Sequence, residues 1–184
     1  AARWTGVEMT WEEVFYFGFF ILLSVTKGLG LYEGQKLFEL LVLPAFLFAL
    51  AKLVITPYTK RQWVMQILLL TLTGIVFYNS RERGVLFLAF TVLGMKNISV
   101  KKVFHVGFWV WSVCAVLLSI FSFFRIEHTV YRVHAKMGLG HIFRWSLGFS
   151  HPNILHITYM ALCAFILYEL GERYKFRHFC LLMV

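Results

Sequence analysis

Apolar positions in this chain fall in unbroken runs rather than at the helical or strand spacing of a half-buried soluble fold. Five runs, 14–31, 37–56, 63–79, 104–124 and 154–170, reach the roughly 17 to 20 residues that cross the hydrocarbon of a bilayer as a helix. A sixth, Gly84 to Met95, has 12 residues. Its flanks, Glu82-Arg83 and Lys96-Asn97, let it either span by snorkelling or re-enter. A further apolar stub begins at His178. The pattern predicts an all-α, polytopic integral membrane protein with about six transmembrane helices plus a stub. Residues 1–184 read as a single transmembrane domain, and 125–153 as one long extracytoplasmic loop.

Composition agrees, since 60% of residues are hydrophobic and only 15% charged, too apolar for a soluble fold of this length. Lys and Arg number 18 against 9 acids, giving a net charge of +9 that points to anionic partners at a membrane: headgroups, phosphates or pyrophosphates. Nucleic acid fits poorly, because the cations are spread over short links. All the acids are Glu. Without a single Asp, aspartate-rich Mg²⁺ sites, DxD sugar-nucleotide sites and paired-aspartate proteases lack their key residue.

With six spans, nine cations lie on the side of the N-terminus and eight on the other, four of the eight in 125–153. An extracytoplasmic loop that keeps so many cations against the insertion bias needs them for binding, so the N-terminus is placed in the cytoplasm. Lys27 and Lys52 lie near segment ends and are expected to snorkel. Glu39 and Glu169 are intramembrane carboxylates near an interface. Pro44 is expected to kink its helix and Pro57 to mark a loop. Cys114, Cys163 and Cys180 all lie in apolar stretches and read as small buried hydrophobes. The chain opens Ala1-Ala2-Arg3 and stops inside an apolar run, so it reads as part of a longer protein.

Chemistry concentrates in the long loop. Ile126, Val130, Val133 and Met137 share one helical face while Arg132 and Lys136 share another, which predicts a short cationic interfacial helix. Gly138, Gly140 and Gly148 then impose a compact, non-helical path. Ser150 is a plausible N-cap and Pro152 suits the first turn of the next helix. His151 is thereby presented at a helix N-terminus, where an imidazole can act as general base and the dipole favours anions. Five histidines fall between 128 and 156, but the pairs 128/134, 134/141 and 151/156 lack the i,i+4 spacing of a helical zinc site, and no metal is expected. His156 reads as a packed helix residue. A second constellation, Tyr78-Asn79-Ser80-Arg81-Glu82-Arg83-Gly84, puts an Arg pair in a tight turn on the loop's side of the membrane if the sixth segment spans. Guanidinium forks suit phosphate oxygens, so Arg81, Arg83, Arg132 and Arg144 are the candidate pyrophosphate ligands beside His151.

The stretch Arg144-Trp-Ser-Leu-Gly-Phe-Ser-His-Pro-Asn153 resembles the R-x-S-L-G-F-x-H-P-N segment of Wzy-type polymerases of O-antigen, capsule and exopolysaccharide repeat units, Gram-positive ones above all. The Ser80-Arg81…Gly84 turn is similar to S-R-x-G turns of the wider group. The resemblance implies a multi-pass glycosyltransferase of the bacterial cytoplasmic membrane that needs neither metal nor other cofactor. Its partners would be an undecaprenyl-pyrophosphate-linked oligosaccharide, the bilayer, and the chain-length regulator and flippase of the same pathway. On that pattern His151 would activate the acceptor hydroxyl and the arginines would hold the departing pyrophosphate. Gly148, Pro152 and Asn153 would shape the loop. Such polymerases have ten or more spans, about twice what 184 residues hold. Two other readings stay open: a transporter or flippase subunit binding an anionic lipid or solute through the same cations, and a non-catalytic assembly or sensor subunit.

Overall fold

A computed structural model describes residues 2–4, 7–81, 83–124, 130–134, 141–147, 149, 152–173 and 175. A short antiparallel ladder, β1 (Ala2–Trp4) with β2 (Val7–Met9), comes first. Six α-helices follow among the described residues: α1 (Trp11–Gly28), α2 (Lys36–Ile55), α3 (Lys60–Ser80), α4 (Gly84–Gly94), α5 (Val100–Phe124) and α6 (Pro152–Leu170). Between α5 and α6 a second ladder pairs β3 (Val130–His134) with β4 (His141–Trp145), and a 3₁₀ turn, Gly171–Arg173, closes α6.

The helix ends are written locally. Thr10 and Glu13 bond each other's backbone N–H groups with their side chains, a capping box that starts α1. Thr59 and Gln62 do the same for α3. At the other end of α1, Gly30 N–H reaches Lys27 O at 3.0 Å and Leu31 N–H reaches Thr26 O at 2.9 Å. That is a Schellman closure, and it needs Gly30 at φ +66°. Arg81 stops α3 in the left-handed region without being glycine, at φ 60°.

Four helices, α2, α3, α5 and α6, are long and apolar enough to cross a membrane. Their outer surfaces expose large apolar side chains, Val54 at 79% and Phe124 at 78%, which water would not tolerate in such numbers but lipid accepts. The chain is an all-α polytopic membrane protein. Two of the six expected spans fall short of these criteria. Glu12, Glu13 and Lys27 put three charges into the 18 residues of α1. The 11 residues of α4 rise only ~16 Å against a hydrocarbon core of ~30 Å. Pro44 lies inside α2, which continues through it from Lys36 to Ile55. Pro57 is in the loop that follows, as its sequence implied. The apolar stub from His178 lies outside the described residues.

The interfacial helix expected in 126–137 is a correction. Residues 130–134 form a strand, in register with 141–145: Val130↔Trp145, Tyr131↔Arg144, Arg132↔Phe143, Val133↔Ile142 and His134↔His141. The β-branched and aromatic residues Val130, Tyr131, Val133, Ile142, Phe143 and Trp145 favour an extended backbone, and pairing satisfies the polar backbone that an isolated helical turn would leave open. Ile126 and Met137, the ends of the supposed apolar face, lie outside the described residues.

Backbone contacts divide the chain into two units. The first comprises 1–20 and 43–100; the second comprises 21–42 and 101–184. In the first, Gly18 leaves room for the Phe48 ring (3.1 Å from an added Cβ) and Gly94 for Tyr16 (2.9 Å), while Phe46 meets Phe90 edge-on at 4.6 Å. In the second, Phe104 stacks on Tyr168 at 3.9 Å, and Gly107 lies so close to Phe165 that an added Cβ would meet the ring at 2.4 Å. Cys114 is buried against Gly28 and Cys163 is half-buried, both free thiols; Cys180 lies outside the described residues.

Candidate functional site

The Arg144–Asn153 stretch takes its shape from its apolar members. Arg144 is the fourth residue of β4, and its side chain is exposed. Beyond the strand, Ser146 is fully buried and Phe149 is 4% exposed; Phe149 N–H closes a turn onto Ser146 O at 2.9 Å. Leu147 within that turn takes φ 46°, a conformation that costs a non-glycine residue about 1 kcal/mol. The Phe149 ring fills the space beside Gly30, where a Cβ would come within 2.6 Å of it. Buried Pro152 opens α6, as its sequence implied, and Asn153 beside it is exposed. A strand end, a buried turn and a helix start thus follow one another in the chain, with the Arg144 side chain exposed. Gly148, Ser150 and His151 lie outside the described residues, so the expected base and N-cap are bracketed by Phe149 and Pro152 in sequence only.

The remaining arginines divide. In the second unit, Arg132 pairs with Phe143 while Arg144 pairs with Tyr131, one register step apart. In the first unit, Arg81 is exposed, with its guanidinium 5.3 Å from the centre of the Tyr78 ring. Arg83 is half-buried and occupies the N-cap of α4. The second unit thus supplies Arg132, Arg144, Pro152 and Asn153, and the first supplies the Arg81–Arg83 turn. His156, expected to be packed, is exposed on α6. Glu169 is 3.3 Å from His105 Nδ1, an ion pair between α5 and α6 when the imidazole is protonated. Among the described residues, no group of three or more metal-ligating side chains converges.

A polar cluster that hydropathy does not reveal lies in the first unit. Lys52 does not snorkel: it is 1% exposed and donates to Glu12 Oε2 at 2.9 Å and to Lys96 O at 3.0 Å. Asn97, at φ 61°, donates its amide to the same carboxylate oxygen at 3.0 Å. Lys96 itself bonds Pro57 O and Gln62 Oε1, and lies 4.4 Å over the Tyr58 ring. Residue 96 thus returns to the end of α3 that holds Gln62, so α4 runs back along α3 rather than ending beside Arg81. These contacts join residues 34 to 85 positions apart, and no local spacing announces them.

Burial pushes the Glu12 carboxyl up, but hydrogen bonds from Lys52 and Asn97 and the charges of Lys52 and Lys96 outweigh it and hold the group below its ordinary value. A depressed carboxyl contributes stability above its unfolded value, about 4.3, and loses it as pH falls through the lower folded value. Detergent-purified protein should therefore melt at progressively lower temperature below about pH 4.5. Glu12→Gln should flatten that part of the pH profile; an unchanged slope would remove Glu12 as its source.

Comparison with family models, with characterised proteins and with solved structures finds no match to this chain. The fold and the exposed apolar surface define its class, a multi-pass helical membrane protein.

Proposed function

We propose that the chain forms part of a polysaccharide polymerase of Wzy type, acting in a bacterial cytoplasmic membrane on undecaprenyl-pyrophosphate-linked glycans. The observation that supports this reading most is the frame of the 144–153 stretch. Arg144 is exposed near the end of β4, the turn residues Ser146 and Phe149 that follow it are buried, and Pro152 opens α6. Between the turn and Pro152 stands His151, in the one segment whose residue order resembles that family.

In the proposed reaction His151 takes the proton of an acceptor sugar hydroxyl. The freed oxygen attacks the anomeric carbon of the donor glycan, and the bond from that carbon to the pyrophosphate oxygen breaks. The electron pair leaves on the pyrophosphate, whose growing charge the exposed Arg144 neutralises. Preorganised cations matter most at such a leaving group, because they act on charge that develops in the transition state.

The test uses the longest natural form of the protein in its own host. His151→Ala and Arg144→Ala should each cut long-chain polymer on gels by about tenfold or more while single lipid-linked repeats accumulate and membrane levels hold. Normal polymer from both variants would overturn the catalytic assignment and favour transport or scaffolding.

A further inference from the structure

At the end of the first unit where α3 begins, a cleft of about 520 Å³ opens between α3 and the end of α4. Its wall carries two cations, Arg61 and Lys96, and no carboxylate; Tyr58, Thr59 and Gln62 add hydrogen-bonding groups, while Met65, Val92 and Leu93 make an apolar side. The arrangement is graded. Arg61 is the second residue of α3, so it lies at the very start of a helix long and apolar enough to span. Met65, one turn further in, is 62% exposed, and Val92 is 56% exposed. Lys96 is fixed by Pro57 O and Gln62, and its ammonium keeps a third N–H and its charge.

We infer that this cleft is a docking site for the headgroup of an anionic phospholipid, with the phosphate between Arg61 and Lys96 and the acyl chains along Met65 and Val92. Charge complementarity and the polar-to-apolar gradient both favour a lipid. A soluble phosphate would gain from the two cations and nothing from the exposed apolar wall. The inference is independent of the polymerase reading, since it uses no residue of 144–153.

The purified chain is equilibrated with equal amounts of phosphatidylcholine and phosphatidylglycerol of matched acyl chains, and the lipid retained after mild detergent washing is counted by mass spectrometry. Phosphatidylglycerol should be enriched, and Arg61→Gln should lower the enrichment about fivefold. Lys96→Gln should do the same, but Lys96 also braces the 57–62 turn, so exposed Arg61 is the decisive position. Lys101→Gln, which removes an exposed cation outside the cleft, should leave retention unchanged. Equal retention of both lipids would overturn the inference. So would an equal loss from Lys101→Gln, which means diffuse attraction, or displacement by inorganic phosphate but not by chloride at the same ionic strength, which means a soluble anion.

Discussion

Glu12→Ala should destabilise the protein by about 3–5 kcal/mol, the largest effect expected of any single substitution here. The reason lies in its partner. Lys52 is 1% exposed, and with the carboxylate gone its ammonium keeps only Lys96 O as an acceptor. An isolated buried charge is far more costly than a missing pair, because the desolvation of the ammonium remains while its counter-charge does not. The asymmetry is measurable. Lys52→Met leaves Glu12, 21% exposed and still bonded to Asn97, and should cost only about 1–2 kcal/mol. Joining the two as Glu12→Leu with Lys52→Met should recover much of the loss seen in Glu12→Ala. Thermal melting in one detergent reads all three, and Glu12→Ala should melt roughly 10 °C lower than the parent chain. A melting point within error of the parent would mean that Lys52 finds water or lipid instead.

Gly30→Ala is the second large effect, at about 2–4 kcal/mol in total. Two separate penalties meet at this residue. Its φ of +66° is the left-handed conformation that completes the Schellman closure of α1, costing an L-residue about 1 kcal/mol. The new methyl would also lie 2.6 Å from Cδ1 of Phe149, so the ring and its turn must shift. Gly34→Ala separates the terms: at φ +93° nothing lies within 4 Å, so only the backbone penalty applies. The displaced turn has its own readout. Ser146 is fully buried, and a cysteine placed there should react slowly with a maleimide in the parent and several-fold faster beside Gly30→Ala. Unchanged labelling would mean that the ring gives way without moving the turn. On the polymerase reading, the same substitution should also lower polymer output while the protein remains in the membrane.

Much of the architecture was legible in the chain. Long apolar runs dictate helices, because backbone N–H and C=O groups in hydrocarbon must pair within their own segment, and α1 to α6 formed where those runs lay. Loop residues were harder. The 126–137 reading failed because four apolar residues and two cations satisfy a helical wheel easily, while strand pairing between 130–134 and 141–145 depends on a partner that no helical wheel displays. Lys52 was misread for a related reason: a lysine near a segment end ordinarily reaches water, unless a carboxylate 40 residues away is brought beneath it.

By itself, the sequence determined the membrane class, the apolar runs that fold as α1 to α6, the loop at Pro57 and the helix start at Pro152. All of these follow from interactions within a few residues or from partition into lipid. Only the tertiary structure decided that Lys52 is an ion-pair partner, that α4 runs back along α3 and brings Lys96 to Gln62, and that Phe149 rests on Gly30. Each of these contacts joins residues tens of positions apart, where the energy comes from shape and charge meeting across helices, and no period or spacing along one segment encodes it.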